Sequence, residues 1–264
     1  MIHSALVLAT EGWALVALLM LILWLVQRRT GNAAIVDFGW ALSLVMLAGL
    51  YAIRCDGFFW RSLLIAGIVA TWGLRLSFYL LFSRIIGHPE EGRYQQLRAG
   101  WGPAVQRNFF FFFQGQGVLN ILLALPFLLA ALNPQPDLTV LEYSAFGLWL
   151  LAFLGEVVAD AQLARFKSNP AHRGKVCDVG LWRLSRHPNY FFEWLIWVSY
   201  ALFALASPYG YLGLIAPALI LFTLLKITGI PATEAQALRS KGEAYRQYQQ
   251  STSVFIPWFP RRAS

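Results

Sequence analysis

Long apolar runs alternate with short polar turns along the whole chain. The runs cover Val7 to Val26, Ala33 to Ile53, Ser62 to Phe82, Phe109 to Leu132, Tyr143 to Leu163, Tyr190 to Ala206 and Tyr211 to Ile227. Most reach or approach the roughly 20 residues that carry an α-helix across the hydrocarbon of a bilayer. A surface helix of a soluble protein keeps a polar face, and these runs lack one. The pattern predicts an all-α fold, a polytopic membrane bundle of about seven transmembrane helices. It also predicts one integral membrane domain over residues 1–264, with the polar motifs concentrated in 164–264. The first run is long and followed by Arg28-Arg29, as in a retained span rather than a cleaved signal peptide. Pro217 inside the last run predicts a kink. Asn133-Pro134-Gln135-Pro136-Asp137 reads as a turn.

Charge changes the picture next. The chain is 58% hydrophobic and 13% charged, with a formal net charge of +8. A basic excess of that size raises the question of nucleic acid, so its distribution matters. Arg28 and Arg29 follow the first run; Arg84, Arg93, Arg98 and Arg107 follow the third. Arg165, Lys167, Arg173, Lys175, Arg183 and Arg186 follow the fifth, and the tail adds Arg239, Lys241, Arg246, Arg261 and Arg262. The turns after the fourth and sixth runs have no Lys or Arg, and the one after the second sets Arg54 and Arg61 against Asp56. Alternate turns are basic, which predicts an outside N-terminus and a cytoplasmic C-terminus. The positive charge is thereby accounted for by orientation, and no nucleic-acid partner is expected. Cys55 and Cys177 form no metal-type cluster, and the topology puts them near opposite faces, so no disulfide and no metal site are expected.

The most chemically loaded stretch runs from Gly180 to Glu193. It contains Arg186-His187-Pro188-Asn189-Tyr190 where a basic loop meets an apolar run. Pro188 fixes its own φ, favours an extended His187 and suits the first position of a helix. A loop that becomes a helix just after His187 follows. Asn189 and Glu193 then share a helix face. Inside the runs, Asp37, Arg75, Glu156, Asp160 and Glu193 are ionisable, which is costly in hydrocarbon unless they pair or line a cavity. Glu156 and Asp160 lie one turn apart. Arg75 is placed to pair with Asp37 or Glu193, and Trp72, Arg75 and Tyr79 are spaced for one helix face. The plain alternative is a set of interhelical ion pairs without a chemical role. Lys167, Arg183 and Arg186 suit phosphate oxygens, the arginines in a bidentate manner, whereas Arg173 and Lys175 read as solvated loop charges. Arg239, Tyr245 and Tyr248 predict a short amphipathic helix on the membrane face, serving as an interfacial anchor or closing a cofactor pocket.

Gly180-Leu181-Trp182, Arg186-His187-Pro188-Asn189-Tyr190, Glu193, and the tail residues Glu234, Tyr245, Tyr248 and Ile256-Pro257 resemble the steroid 5-alpha-reductase family. Sterol C14 reductases and isoprenylcysteine carboxyl methyltransferases share that C-terminal pattern. Asp37-Phe38-Gly39-Trp40, Trp72 with Arg75, Glu91-Gly92-Arg93-Tyr94, and Asp160-Ala161-Gln162 with Phe166-Lys167 resemble a bacterial branch known only as a domain of unknown function. The resemblance implies a multi-pass protein of the bacterial inner membrane. It implies NADPH entering from the cytoplasm and a lipophilic substrate entering from the bilayer. By position, Asp160, Lys167, Trp182, Arg186, His187, Asn189, Tyr190, Glu193, Glu234, Arg239, Tyr245 and Tyr248 would line the cofactor site. The reaction implied is hydride transfer to the β-carbon of an enone while an acid polarises the carbonyl oxygen.

The chain departs from the steroid reductases in its second run. Their adjacent Gln-Glu pair is absent, and Trp72 stands where their partner Tyr falls. An indole N–H donates a hydrogen bond but is no acid at neutral pH. Asp37, with Arg93 or Tyr94, would supply the proton, so Asp37, Trp72, Arg75, Arg93 and Tyr94 are the candidate catalytic residues. The leading expectation is an NADPH-dependent reductase of a C=C bond in a sterol-like, fatty-acyl or isoprenoid lipid. The runner-up is an S-adenosylmethionine-dependent methyltransferase with a lipophilic substrate. Methyltransferases of the superfamily usually follow Arg-His-Pro with a small residue and Tyr, then Gly, and carry two adjacent Glu near the position of Glu234. Asn189, Glu193 and the pair Thr233-Glu234 lean toward the reductase. A catalytically silent lipid-binding or scaffold protein is the third class. No protein partner is implied.

Overall fold

Each apolar run folds as a helix or a series of helical pieces in the computed structural model, which describes residues 2–227 and 229–260. Among those residues no strand forms; the one ladder-like contact is an isolated parallel bridge between Ser185 and Ser253. Helices α1 (Ile2–Thr30), α2 (Ile35–Arg54) and α3 (Phe59–Leu80) come first, and α3 runs on into a π-helical turn, Leu81–Ile85. The polar α4 (Gly92–Trp101) leads to α5 (Val105–Leu123) and the short α6 (Leu125–Ala131). Then come α7 (Val140–Ser168), the single turn α8 (Leu181–Leu184) and α9 (Pro188–Leu205). The chain closes with α10 (Ile215–Phe222), α11 (Ile230–Lys241) and α12 (Glu243–Ser251).

Five helical segments among the described residues are long and apolar enough to cross a membrane: Ile2–Thr30, Ile35–Arg54, Phe59–Ile85, Val140–Ser168 and Gly210–Lys241. A sixth is counted if α5 and α6, bent by 42°, act as one broken span. Pro126 explains the break, because it offers no N–H to the preceding turn and its ring crowds the carbonyl there. The sequence pattern predicted seven. The difference lies in α9, where Asn189, Tyr190, Glu193, Ser199 and Tyr200 dilute the apolar residues. The multi-pass reading stands at five to six candidate spans. Pro217 falls in the first turn of α10, where the missing N–H breaks no helical bond, and the helix is irregular later, as a π turn at Thr223–Ile227.

The chain divides into two compact units. The N-terminal unit takes Met1–Thr139 with Ala204–Ile215; the C-terminal unit takes Val140–Phe203 with Ala216–Ser264. In the N-terminal unit, the weakly charged turns meet at one end. Phe58 N–H donates to Asn133 O at 3.0 Å, and Asn133 Nδ2 donates to Ala206 O at 3.1 Å. Arg61 belongs to this knot and is fully buried. Its guanidinium donates to the carbonyls of Asn133 (3.2 Å), Gln135 (2.6 Å) and Asp137 (2.6 Å). The sequence reading counted Arg61 as a loop charge; it is instead a clamp in the first turn of α3. The basic turns meet elsewhere in the same unit. Ala33 N–H donates to Glu90 Oε1 at 2.7 Å, and Arg98 reaches both Glu90 (2.8 Å) and Gly31 O (3.1 Å). The charge alternation along the chain thus has a counterpart in which turns touch.

In the C-terminal unit, α7 and α9 run antiparallel in fixed register. Asn189 Nδ2 donates to Asp160 Oδ1 at 3.2 Å, and Trp149 Nε1 donates to Tyr200 Oη at 3.2 Å. The two contacts are eleven residues apart on both helices, about 16 Å along each axis. Gly155 lets the helices approach: a Cβ there would stand 2.5 Å from the Phe192 ring. Cys55 and Cys177 are both free thiols.

Candidate functional site

The Gly180–Glu193 stretch folds as its residues predict. Gly180 has φ +57°, a conformation that disfavours side chains, and a Cβ there would lie 2.6 Å from the Gln162 amide. The same amide oxygen accepts the Leu181 N–H at 2.9 Å, which starts α8. After α8 the chain is extended at Ser185, and α9 begins at Pro188, directly after His187. Trp182 is buried with its indole N–H on Ala159 O at 2.9 Å.

The tail closes over this loop. Arg186 N–H donates to Ser253 O (2.8 Å), Ser185 Oγ to Phe255 O (2.8 Å) and Trp258 N–H to Leu184 O (2.9 Å). The Arg186 guanidinium donates through Nε to Glu234 at 2.7 Å and through one Nη to the carbonyls of Gln249 and Thr252, both at 2.8 Å. Glu234 also takes Gln249 Nε2 at 2.8 Å and faces His187 Nε2 at 3.2 Å. Tyr248 donates to the carbonyl of Trp182. Burial pushes the phenols of Tyr245 and Tyr248 well above the usual tyrosine range, so both remain neutral donors. Tyr245 and Tyr248 therefore face inward, and it is Arg239 that stays exposed on the amphipathic segment.

The predicted cofactor residues fall into two groups. Trp182, Arg186, His187, Glu234, Tyr245 and Tyr248 are frame: they are buried or bonded to backbone and to one another. Asn189 and Tyr190 are half-buried, on the first turn of α9. Tyr190 stacks on His187 with ring centroids 5.3 Å apart, and its hydroxyl meets Thr233 Oγ1 at 3.2 Å. Lys167 and Arg239 are exposed and form no ion pair among the described residues. Glu193 accepts the Trp197 indole N–H at 3.0 Å. Glu156, 5% exposed, and Glu193 each lie four residues inward from the Asp160–Asn189 contact, so the register puts them at one level.

The N-terminal unit brings together three of the predicted catalytic residues. Asp37, in the first turn of α2, accepts from the Tyr94 hydroxyl at 2.7 Å and from Arg93. Arg93 also meets Glu91 at 3.2 Å, and Glu91 meets Arg84 at 3.3 Å. Tyr94 is 2% exposed, with the Arg93 guanidinium 4.7 Å from its ring centre. Asp37 and Glu193 are the expected alternatives for pairing with Arg75; the Asp37 carboxylate takes Arg93 and Tyr94. Trp72 is fully buried, edge-on to Trp40 at 6.2 Å, and Arg75 is half-buried. Tyr79 differs from Trp72 in exposure. It is 53% exposed, whereas Trp72 on the same helix is buried.

Sequence reasoning missed Glu90 and Gln249. Glu90 caps the entry to α2, and its signal was a second acid beside Glu91 in a segment rich in arginine. Gln249 supports Glu234 and had no signal beyond its place one residue after Tyr248. A family model described as a protein of unknown function (DUF1295) matches residues 23–252. No curated protein and no solved structure matches.

Proposed function

This chain belongs to the DUF1295 family, and we propose that it is a membrane-embedded, NADPH-dependent reductase of a C=C bond in a lipophilic substrate. The observation that supports this reading most is the unequal use of polar groups in the C-terminal unit. The frame residues are committed to one another, while Lys167, Arg239 and the Asn189–Asp160 pair remain on the polar side. Lys167 lies seven residues, about 10 Å, beyond Asp160 on α7. This donor set fits a dinucleotide. Exposed cations match phosphate oxygens. A neighbouring amide and carboxylate match groups that both donate and accept hydrogen bonds, such as a carboxamide or ribose hydroxyls. A nicotinamide bound there would supply a hydride. Asp160, Asn189 and Tyr190 would orient it, and Lys167 and Arg239 would hold its phosphates.

The acid falls to the Asp37 cluster. Tyr94 carries a proton on an oxygen already hydrogen-bonded to a carboxylate, and Arg93 stabilises the charge left on that cluster. Trp72 donates a hydrogen bond without giving up its proton. The resemblance to the steroid 5-alpha-reductase family belongs to this proposal. So do the outside N-terminus, the cytoplasmic C-terminus and the bacterial inner membrane, for which the basic turns are the support.

The test is binding of NADPH and of S-adenosylmethionine to the detergent-purified protein. NADPH should bind, and Asn189→Ala should weaken it by about tenfold, the effect of losing one well-placed hydrogen bond. Binding of S-adenosylmethionine without NADPH would make the protein a methyltransferase. Binding of neither would favour a catalytically silent lipid-binding or scaffold protein.

A further inference from the structure

The last described residues form a ridge that the chemistry above does not use. Val254, Ile256, Trp258 and Phe259 are 39%, 60%, 69% and 79% exposed. Phe255, between the first two, is 7% exposed and turns the other way, against Phe191 (ring centroids 5.7 Å) and Trp194 (5.9 Å). The chain bends at residues 254–256, and the hydrogen bonds of the Ser185 hydroxyl and of the Arg186 and Trp258 N–H groups hold it in that form. The ridge is therefore held by the fold rather than trailing from it.

Its level is set by what Phe255 touches. Phe191 and Trp194 occupy the first two turns of α9, beside α7, a helix apolar enough to cross a membrane. With α7 across a bilayer, the ridge would lie where the hydrocarbon gives way to headgroups, on the side of the C-terminal unit that carries its basic loop. Tryptophan and phenylalanine with aliphatic neighbours favour that depth. In the sequence Arg261 and Arg262 follow directly, which adds attraction for negatively charged headgroups.

We infer that Val254, Ile256, Trp258 and Phe259 dip into the headgroup boundary of an anionic bilayer and fasten the Arg186–Glu234 loop to the membrane surface. The inference goes beyond the reductase reading and does not depend on any cofactor.

The test uses the full chain with Cys55→Ser and Cys177→Ser, reconstituted in phosphatidylcholine–phosphatidylglycerol vesicles. A fluorescent maleimide is placed at Phe259→Cys or, as a control on exposed α12, at Glu243→Cys. At 259 we expect quenching by headgroup-level nitroxide lipid and an iodide quenching constant roughly tenfold below that at 243, since aromatic and aliphatic side chains partition to that depth. Equal iodide access at the two sites overturns the inference. So does shielding from iodide without nitroxide quenching, because protein, such as a second copy, would then cover the ridge. A second measurement needs no label. Trp258→Ser with Phe259→Ser should raise hydrogen exchange severalfold across 250–258 in vesicles, and no change there overturns the fastening role.

Discussion

Arg186 shows how one side chain is used up by its own fold. Its donors meet a carboxylate and two backbone carbonyls, so a compact ammonium cannot replace its planar fork. Arg186→Lys should cost about 1–3 kcal/mol of stability, checked by thermal denaturation in detergent. Hydrogen exchange over 249–258 should rise in step. Tyr94 acts differently, since its hydroxyl donates to Asp37 and to no other group among the described residues. Tyr94→Phe should lower turnover by an order of magnitude or more while leaving NADPH affinity unchanged, measured by steady-state kinetics beside equilibrium binding. An unchanged rate would remove Tyr94 from proton delivery. These roles were only partly legible in the sequence. Asp37, Arg93 and Tyr94 stood out as polar groups in or near apolar runs, and the fold brings them together. That the Arg186 fork would face carbonyls of Gln249 and Thr252 could not be read, because it depends on a contact across more than sixty residues.

At the level of elements, the readable features were those with local causes. Pro188 starts α9 because proline suits a first turn, and Pro126 breaks the α5–α6 run for the complementary reason. Pro217 looked the same in sequence but falls in the first turn of α10, directly after the 3-10 stretch Gly210–Leu214. Arg61 was the largest surprise. An arginine beside Asp56 and Gly57 reads as a loop charge, yet it is drawn inward to three carbonyls of the Asn133–Asp137 turn, the first of them shared with the Phe58 N–H. Arg61→Met should destabilise the protein by about 2–4 kcal/mol, because carbonyls left buried without a donor carry a desolvation cost. Denaturation in detergent would measure the loss. Exchange at residues 133–137 should increase first.

On the scale of the whole molecule, the alternation of basic and neutral turns was fully visible in the sequence, and within the N-terminal unit the turns of each kind touch their own. The number of crossing helices was less visible. A helix such as α9, laid beside α7 with polar contacts along its length, need not be as apolar as one that meets lipid. The orientation can be tested within one unit. Thr30→Cys and Pro136→Cys, each with the native cysteines replaced by serine, would be treated with a membrane-impermeant maleimide in right-side-out vesicles. Cysteine at 136 should label and cysteine at 30 should not. The reverse pattern would invert the topology.

The bonds between Ser185–Arg186 and the stretch from Gln249 to Trp258 also impose an order on biosynthesis. The loop is made first, and the stretch that supplies its carbonyl acceptors follows more than sixty residues later. Until Gln249 to Thr252 have been made, Arg186 has neither of its carbonyl acceptors, and a nascent chain halted in α11 would have that loop unsecured. Synthesis of the stretch from Gln249 to Trp258, rather than formation of any one long helix, is the event that finishes this part of the protein.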